Sequence, residues 1–241
     1  MLTALGLALI AALLVGPGTR RRRGSMRPLF KGTGRQWRAN YASRRTFLRL
    51  GAGLAGAALL AYSGADEAVE SWHTRQVRGR TSDRVASLVK PPGERWWLLV
   101  WLAVGAVDAW VRTSPFTRWG RANFESMVVG LPTLWTLQRG LGANRPSSAV
   151  PSPRWHPLAA DNAASGHAFI AAIPWLNLAR RTDHAAVQGL ARVASWVTGW
   201  SRLNDRKHYP SQVLLGWTIA WNAVEAAAAA SPASATSEER G

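Results

Sequence analysis

The stretch SRLNDRKHYPSQ, Ser201 to Gln212, decides how this chain is read. Arg202 closes one apolar, helix-periodic segment, and His208 leads into the next. Pro210 falls at a first-turn position, where its missing N–H costs little. A guanidinium and an imidazole thus meet at one helix junction. Gln212 follows His208 by four residues, the spacing that puts two side chains on one helical face within hydrogen-bonding reach. A carboxylate there would orient the ring and stabilise its imidazolium; a glutamine carbonyl orients without charge.

Upstream, ASGHAF (Ala164 to Phe169) begins another helix. Asp161 or Asn162 is the expected cap, and Ser165 and Gly166 leave backbone N–H groups free at the helix N-terminus, a ready anion site. His167 stands beside it, placed to give a proton to a leaving oxygen. Taken alone, Ser-Gly-His at a helix start is an ordinary cap. Further upstream LQRGLGAN (Leu137 to Asn144) ends a helix and is followed by Arg145 and Pro146. Arg145 reaches the same cleft only if the following loop folds back, and Arg139 is a further candidate cation. The bland alternative for Arg145 is a solvated charge at a helix C-terminus.

Three clusters in this order resemble the three motifs of the type 2 phosphatidic acid phosphatase (PAP2) superfamily, which includes bacterial nonspecific acid phosphatases and vanadium haloperoxidases. That pattern reads KxxxxxxRP, PSGH and SRxxxxxHxxxD. Arg145 and Pro146 match the end of the first motif, Ser165 to His167 the second, and Ser201, Arg202 and His208 the third with its internal spacing. The resemblance covers roughly residues 129–224. Gln138 stands where the pattern has lysine, Ala164 where it has proline, and Gln212 where it has aspartate. The resemblance implies an in-line attack by His208 on a phosphate monoester or diphosphate. Arg145, Arg202, Ser165 and the Gly166 N–H would hold the phosphoryl oxygens, and His167 would protonate the leaving group. It implies no metal and no cofactor. Vanadate enters only under one alternative, a vanadium-dependent haloperoxidase. Another is a weakened protein that binds phosphate or anionic lipid without turnover. His73, His156 and His184 are expected at the surface or in loops.

The charge is unevenly spread. The chain carries a formal +17, yet the segment 20–49 alone holds 11 Lys or Arg and no acid. The basicity therefore belongs to an N-terminal arm and gives no reason to expect nucleic acid as a partner. With no cysteine, disulfides, thiolate metal sites and cysteine nucleophiles are excluded. The 14 Trp lie mostly in apolar helical stretches, as large core or interface side chains.

Leu2 to Val15 is apolar but short for a bilayer span. Ser43 to Arg49 (SRRTFLR) resembles the SRRxFLK motif of twin-arginine export signals and precedes the weakly apolar run Leu50 to Tyr62. The other reading of that run is a signal anchor. Met26 lies a suitable distance ahead of the twin arginine to be the true start. Both readings place the rest of the chain outside the cytoplasm, in the periplasm or on the inner membrane facing it. The partners implied are the twin-arginine export machinery, a membrane surface, and a phosphorylated lipid or small phosphoester.

The fold class is all-α: a helical bundle of the PAP2/haloperoxidase type behind a signal or anchor segment. The expected division is a basic arm over 1–63, a phosphatase-like domain over 64–230, and a disordered polar tail over 231–241. Short surface helices fill Asp66 to Lys90, and Pro91-Pro92-Gly93 breaks the chain. Helices follow over Trp96 to Val111 and Trp119 to Leu141, the latter with a kink at Pro132. The Pro-rich loop Gly142 to Asn162 precedes helices over Ala164 to Ala179, Ala185 to Leu203 and Pro210 to Ala230. Mean hydropathy of −0.09 favours a soluble or peripherally attached domain over a membrane bundle with polar interior helices.

Overall fold

The computed structural model describes residues 18–20 and 29–230. The apolar run Leu2 to Val15, Met26, most of the basic cluster Arg20 to Arg23 and the tail 231–241 lie outside the described residues. Within them the chain forms nine α-helices: α1 Thr33–Tyr41, α2 Arg44–Tyr62, α3 Ala65–Gln76, α4 Arg80–Val89, α5 Trp97–Ala106, α6 Pro115–Leu141, α7 Gly166–Ala179, α8 Ala185–Asn204 and α9 Pro210–Ala229. A two-residue antiparallel ribbon, β1 Thr19–Arg20 against β2 Arg112–Thr113, is the strand content of the described chain. The fold is all-α.

Helix α9 is the axis of the bundle, packed against α1, α2, α3, α6, α7 and α8. It is buried nearly all round, as a central helix must be. The core gathers Leu215, Ile219 and Val224 from α9, Phe169, Ile173 and Leu176 from α7, and Phe124, Met127 and Leu134 from α6. A small polar cluster bridges two helices inside this core. Asn177 of α7 donates to Asn123 Oδ1 at 3.0 Å and to Ser126 Oγ at 3.3 Å, both on α6.

Helix α6 starts four residues before the expected Trp119 because Ser114 and Thr117 form a reciprocal cap with Pro115 at the first position. Its start also explains the acid inside the apolar segment before it. Asp108 is buried in a π turn (Val107–Val111), and its Oδ1 accepts from the Thr113 and Thr117 hydroxyls at 2.9 and 3.0 Å. Pro132 lies within α6, which continues to Leu141.

Two expectations are corrected. His73 is not a surface residue: α3 lies against α8, and the ring is buried edge-on between Trp72 and Trp200. His156 and His184 are exposed, as expected. The tryptophans are also less uniformly internal than their setting suggested. Six of the 14 (Trp37, Trp72, Trp110, Trp135, Trp175 and Trp196) remain more than a third exposed. An indole is too large for every copy to be enclosed by a small bundle.

Helix α2, which begins with the twin-arginine-like motif, packs along α9. Gly53 lies so close to Thr218 that a Cβ would meet its methyl at 2.6 Å, and Asn222 Nδ2 donates to Thr46 O at 3.4 Å. Among the described residues no single helix is long and apolar enough to cross a membrane. Helices α2 and α3 together reach that length and composition, but they are bent by 68° at their junction.

Candidate active site

Gly216 is what lets the two motif-bearing helices meet. A Cβ there would come within 2.3 Å of Ser165 O, so only glycine admits the start of α7 against α9. Ser165 N–H then donates to Gln212 O at 2.8 Å, tying the Ser-Gly-His turn to the His208 helix. Ser165 itself caps α7, its Oγ accepting from Ala168 N–H at 3.3 Å. The cap is therefore Ser165, not Asp161 or Asn162, because its extended backbone lies immediately before the first helical residue.

His208 is almost wholly buried, and its Nδ1 lies 2.9 Å from Gln212 Oε1. The Gln212 amide cannot turn over without losing its partners. Its Nε2 donates to the Asn144 carbonyl at 2.8 Å, and its Oε1 accepts from Tyr209 N–H at 3.2 Å. A carbonyl only accepts and a backbone N–H only donates, so the oxygen must face His208. Nδ1 then carries the proton, and Nε2 is left with a free lone pair. Burial, reinforced by the charges of Arg202 and Arg145, pushes the His208 pKa down to about 3, despite the opposing hydrogen bond that the ring donates to Gln212.

The remaining groups gather round this ring. A cleft of about 530 Å³ is lined by His208, His167, Gly166, Gln138, Arg139 and Arg145 at its polar end. The loop after α6 does fold back. Ser147 N–H donates to Arg206 O at 3.1 Å, and Arg145 Nε donates to Asn162 Oδ1 at 2.7 Å. Arg202 is buried, with Nη1 on Asp205 Oδ2 at 2.9 Å and Nε buried without a hydrogen-bond partner among the described residues. A buried, unspent guanidinium N–H beside a histidine fits an anionic oxygen. Gln138, where the motif has lysine, is used otherwise: its Nε2 donates to Ala164 O at 2.9 Å and braces the turn before α7.

His167 has its Nε2 3.4 Å from Glu94 Oε1. Burial lowers its pKa, as does the Arg202 charge, while Glu94 pulls the other way. Glu94 was not anticipated. It comes from the turn after Pro91-Pro92-Gly93, which fits against α7 only because Gly93 has no Cβ to meet His167 O at 2.8 Å. The same turn sends Arg95 to the cleft. The signal was present as a Pro-Pro-Gly-Glu-Arg run, but nothing in it says which helix the turn abuts. Away from the charges the cleft is apolar, walled by Leu98, Leu131, Leu134, Trp135 and Phe169.

Residues 127–233 match the family model of the PAP2 superfamily. This segment belongs to the PAP2 superfamily. Membership places its chemistry among the phosphatase- and haloperoxidase-type reactions of that group. No curated protein and no solved structure matches the chain. The PAP2 match takes in the end of α6, the folded-back loop and α7 to α9, which hold all eight of the residues named above as catalytic or phosphate-binding.

Proposed function

We propose that this PAP2 protein is a phosphohydrolase that works through a phosphohistidine on His208. The observation that carries the proposal is the amide lock: Asn144 O and Tyr209 N–H orient Gln212, and Gln212 orients the ring. The Nε2 lone pair attacks phosphorus in line, forming the N–P bond as the bond to the leaving oxygen breaks. Arg145, Arg202 and the Gly166 N–H hold the phosphoryl oxygens and spread the developing charge, with Arg139 further out. Ser165 serves by fixing the helix start that presents that N–H. His167 delivers its proton to the leaving oxygen. In the second half water attacks the phosphohistidine, the N–P bond breaks, and His167 takes up the water's proton. The products are an alcohol (or a monophosphate, from a diphosphate) and inorganic phosphate. The reaction as proposed needs no metal ion.

A phosphorylated lipid suits the cleft, since the charged end adjoins an apolar wall and the volume accommodates a head group with part of a chain. We place the reaction outside the cytoplasm, with the basic segment ahead of α2 near an anionic membrane surface.

The test is turnover by the full chain of a long-chain alkyl phosphate beside a short soluble phosphoester. The account predicts that His208→Ala abolishes both activities and that the long-chain ester has the higher kcat/KM. Full turnover by His208→Ala would remove the proposed nucleophile. The pH profile is a second check. His208 must be neutral, so kcat/KM rises above about pH 3, whereas His167 must be protonated, so kcat/KM falls again as pH increases through the His167 pKa, which burial holds under the usual histidine value. An optimum on the acid side is expected; a maximum above pH 8 would assign the proton donor wrongly.

A further inference from the structure

Helix α3 presents Asp66, Glu70 and His73 at spacing i, i+4 and i+7, along one face, and each meets the segment around the catalytic turn. Asp66 is fully buried. It accepts from Ser211 N–H at 2.9 Å and, in a short bond, from the Ser211 hydroxyl. Glu70 Oε1 accepts from Arg206 Nε at 2.6 Å, and His73 stands edge-on to Trp200 at 6.2 Å. Arg206 is one of two described non-glycine residues with positive φ, at 55°, a conformation that needs support from its surroundings. Its support is two-sided: Glu70 holds the guanidinium, and Arg206 O accepts from Ser147 in the loop that carries Arg145.

Helix α9 has no acid in its own first turn, and Gln212 is neutral. The carboxylate at its N-terminus comes instead from Asp66, distant in sequence, on the helix that follows the signal-like segment. The Ser211 hydrogen bonds and the free N–H groups of that turn favour the carboxylate, against the burial that raises its pKa. We propose that α3 is a positioning element for the nucleophile: Asp66 and Glu70, acting through Ser211 and Arg206, hold the turn so that His208 Nε2 lies in line with the phosphoryl group. This rests on His208 being the nucleophile. Neither acid touches substrate, and a shift of the turn by a fraction of an ångström costs rate because attack depends on alignment.

The test compares two anions on the full chain, read by tryptophan fluorescence, since Trp135 lines the cleft. Orthovanadate accepts a bond from a histidine nitrogen, whereas inorganic phosphate needs only the cations and N–H groups. Asp66→Ala is expected to weaken orthovanadate by about tenfold to a hundredfold while phosphate changes by less than about threefold. Asp66→Asn, which retains an acceptor for Ser211 N–H, is expected to fall between Asp66→Ala and wild type. If Asp66→Ala does not fold, Ser211→Ala removes only the hydroxyl contact and should lower the orthovanadate preference by about threefold. A folded Asp66→Ala or Ser211→Ala with the wild-type ratio of the two affinities overturns the inference, as does an equal loss of both anions. Orthovanadate bound as tightly by His208→Ala as by wild type overturns the nucleophile itself, which separates that failure from a failure of α3.

Discussion

At the scale of single residues the central fact is an amide doing an acid's orienting work. Gln212 supplies no charge, but Asn144 O and Tyr209 N–H leave its oxygen only one direction, and His208 is held in the tautomer a nucleophile needs. An amide able to flip would offer its NH₂ to Nδ1 and fix the wrong tautomer, the defect of the amide-substituted serine-protease triad. Gln212→Leu removes the lock, and kcat is expected to fall by about 10²- to 10⁴-fold. Gln212→Glu puts a carboxylate against the ring and stabilises its protonated form. Its acidic limb should therefore move to higher pH by about one to three units, measured as kcat/KM against pH. An unmoved limb would mean that His208 does not set it. The His208–Gln212 pair was legible in the sequence because a spacing of four on a helix is a local rule. Asn144 was not, because its contribution is a backbone carbonyl delivered by a loop. Asp66 escaped for a related reason: its partner Ser211 is distant in the chain, and no periodicity links them.

At the scale of elements, the helices were read within a few residues wherever apolar periodicity and a breaker agreed, as for α7, α8 and α9. The start of α6 was misplaced because a Ser-Pro-x-Thr cap outweighed the apolar pattern used to place it. What α2 does was hidden for a different reason. A weakly apolar, Gly/Ala-rich run reads as a signal segment, yet small residues are also what a helix needs to lie close to another. Gly53 against Thr218 is that contact, and Gly53→Ala should destabilise by about 1–3 kcal/mol through overpacking. Adding Thr218→Ala should recover most of the loss, a non-additivity readable in paired thermal melts. Simple addition of the two effects would show that α2 does not pack there. The close approach of α7 to α9 depends likewise on Gly216, which stood in the sequence one turn beyond Gln212 without any sign of the backbone it faces.

At the scale of the whole molecule, the site is assembled from four places in the chain: the turn after Gly93, the loop after α6, the start of α7 and the α8–α9 junction. Folding has buried His73 and His208 and half-buried His167, and each has a pKa lowered chiefly by burial. In the unfolded chain these rings protonate near 6.5, whereas in the folded protein they do so at lower pH. In that window the unfolded state binds more protons, so stability falls as pH drops below 6.5. Asp66, its pKa raised by burial, acts in the opposite sense, one group against three. Tm should therefore decline from pH 7 to pH 5, and His73→Leu should flatten the decline; an unchanged slope would contradict the burial of His73 as a neutral ring. The order and spacing of the three motifs made the site's membership readable, but the contributions of Glu94 and α3 needed the packed bundle. The account stands most directly on which atom carries the phosphoryl group during turnover. The measurement is rapid quenching of full-length protein with a phosphate-labelled substrate at alkaline pH, followed by mapping of the labelled peptide. The account predicts an acid-labile, base-stable label on His208, absent from His208→Ala; continued turnover with no label on His208, or with the label on another residue, would contradict it.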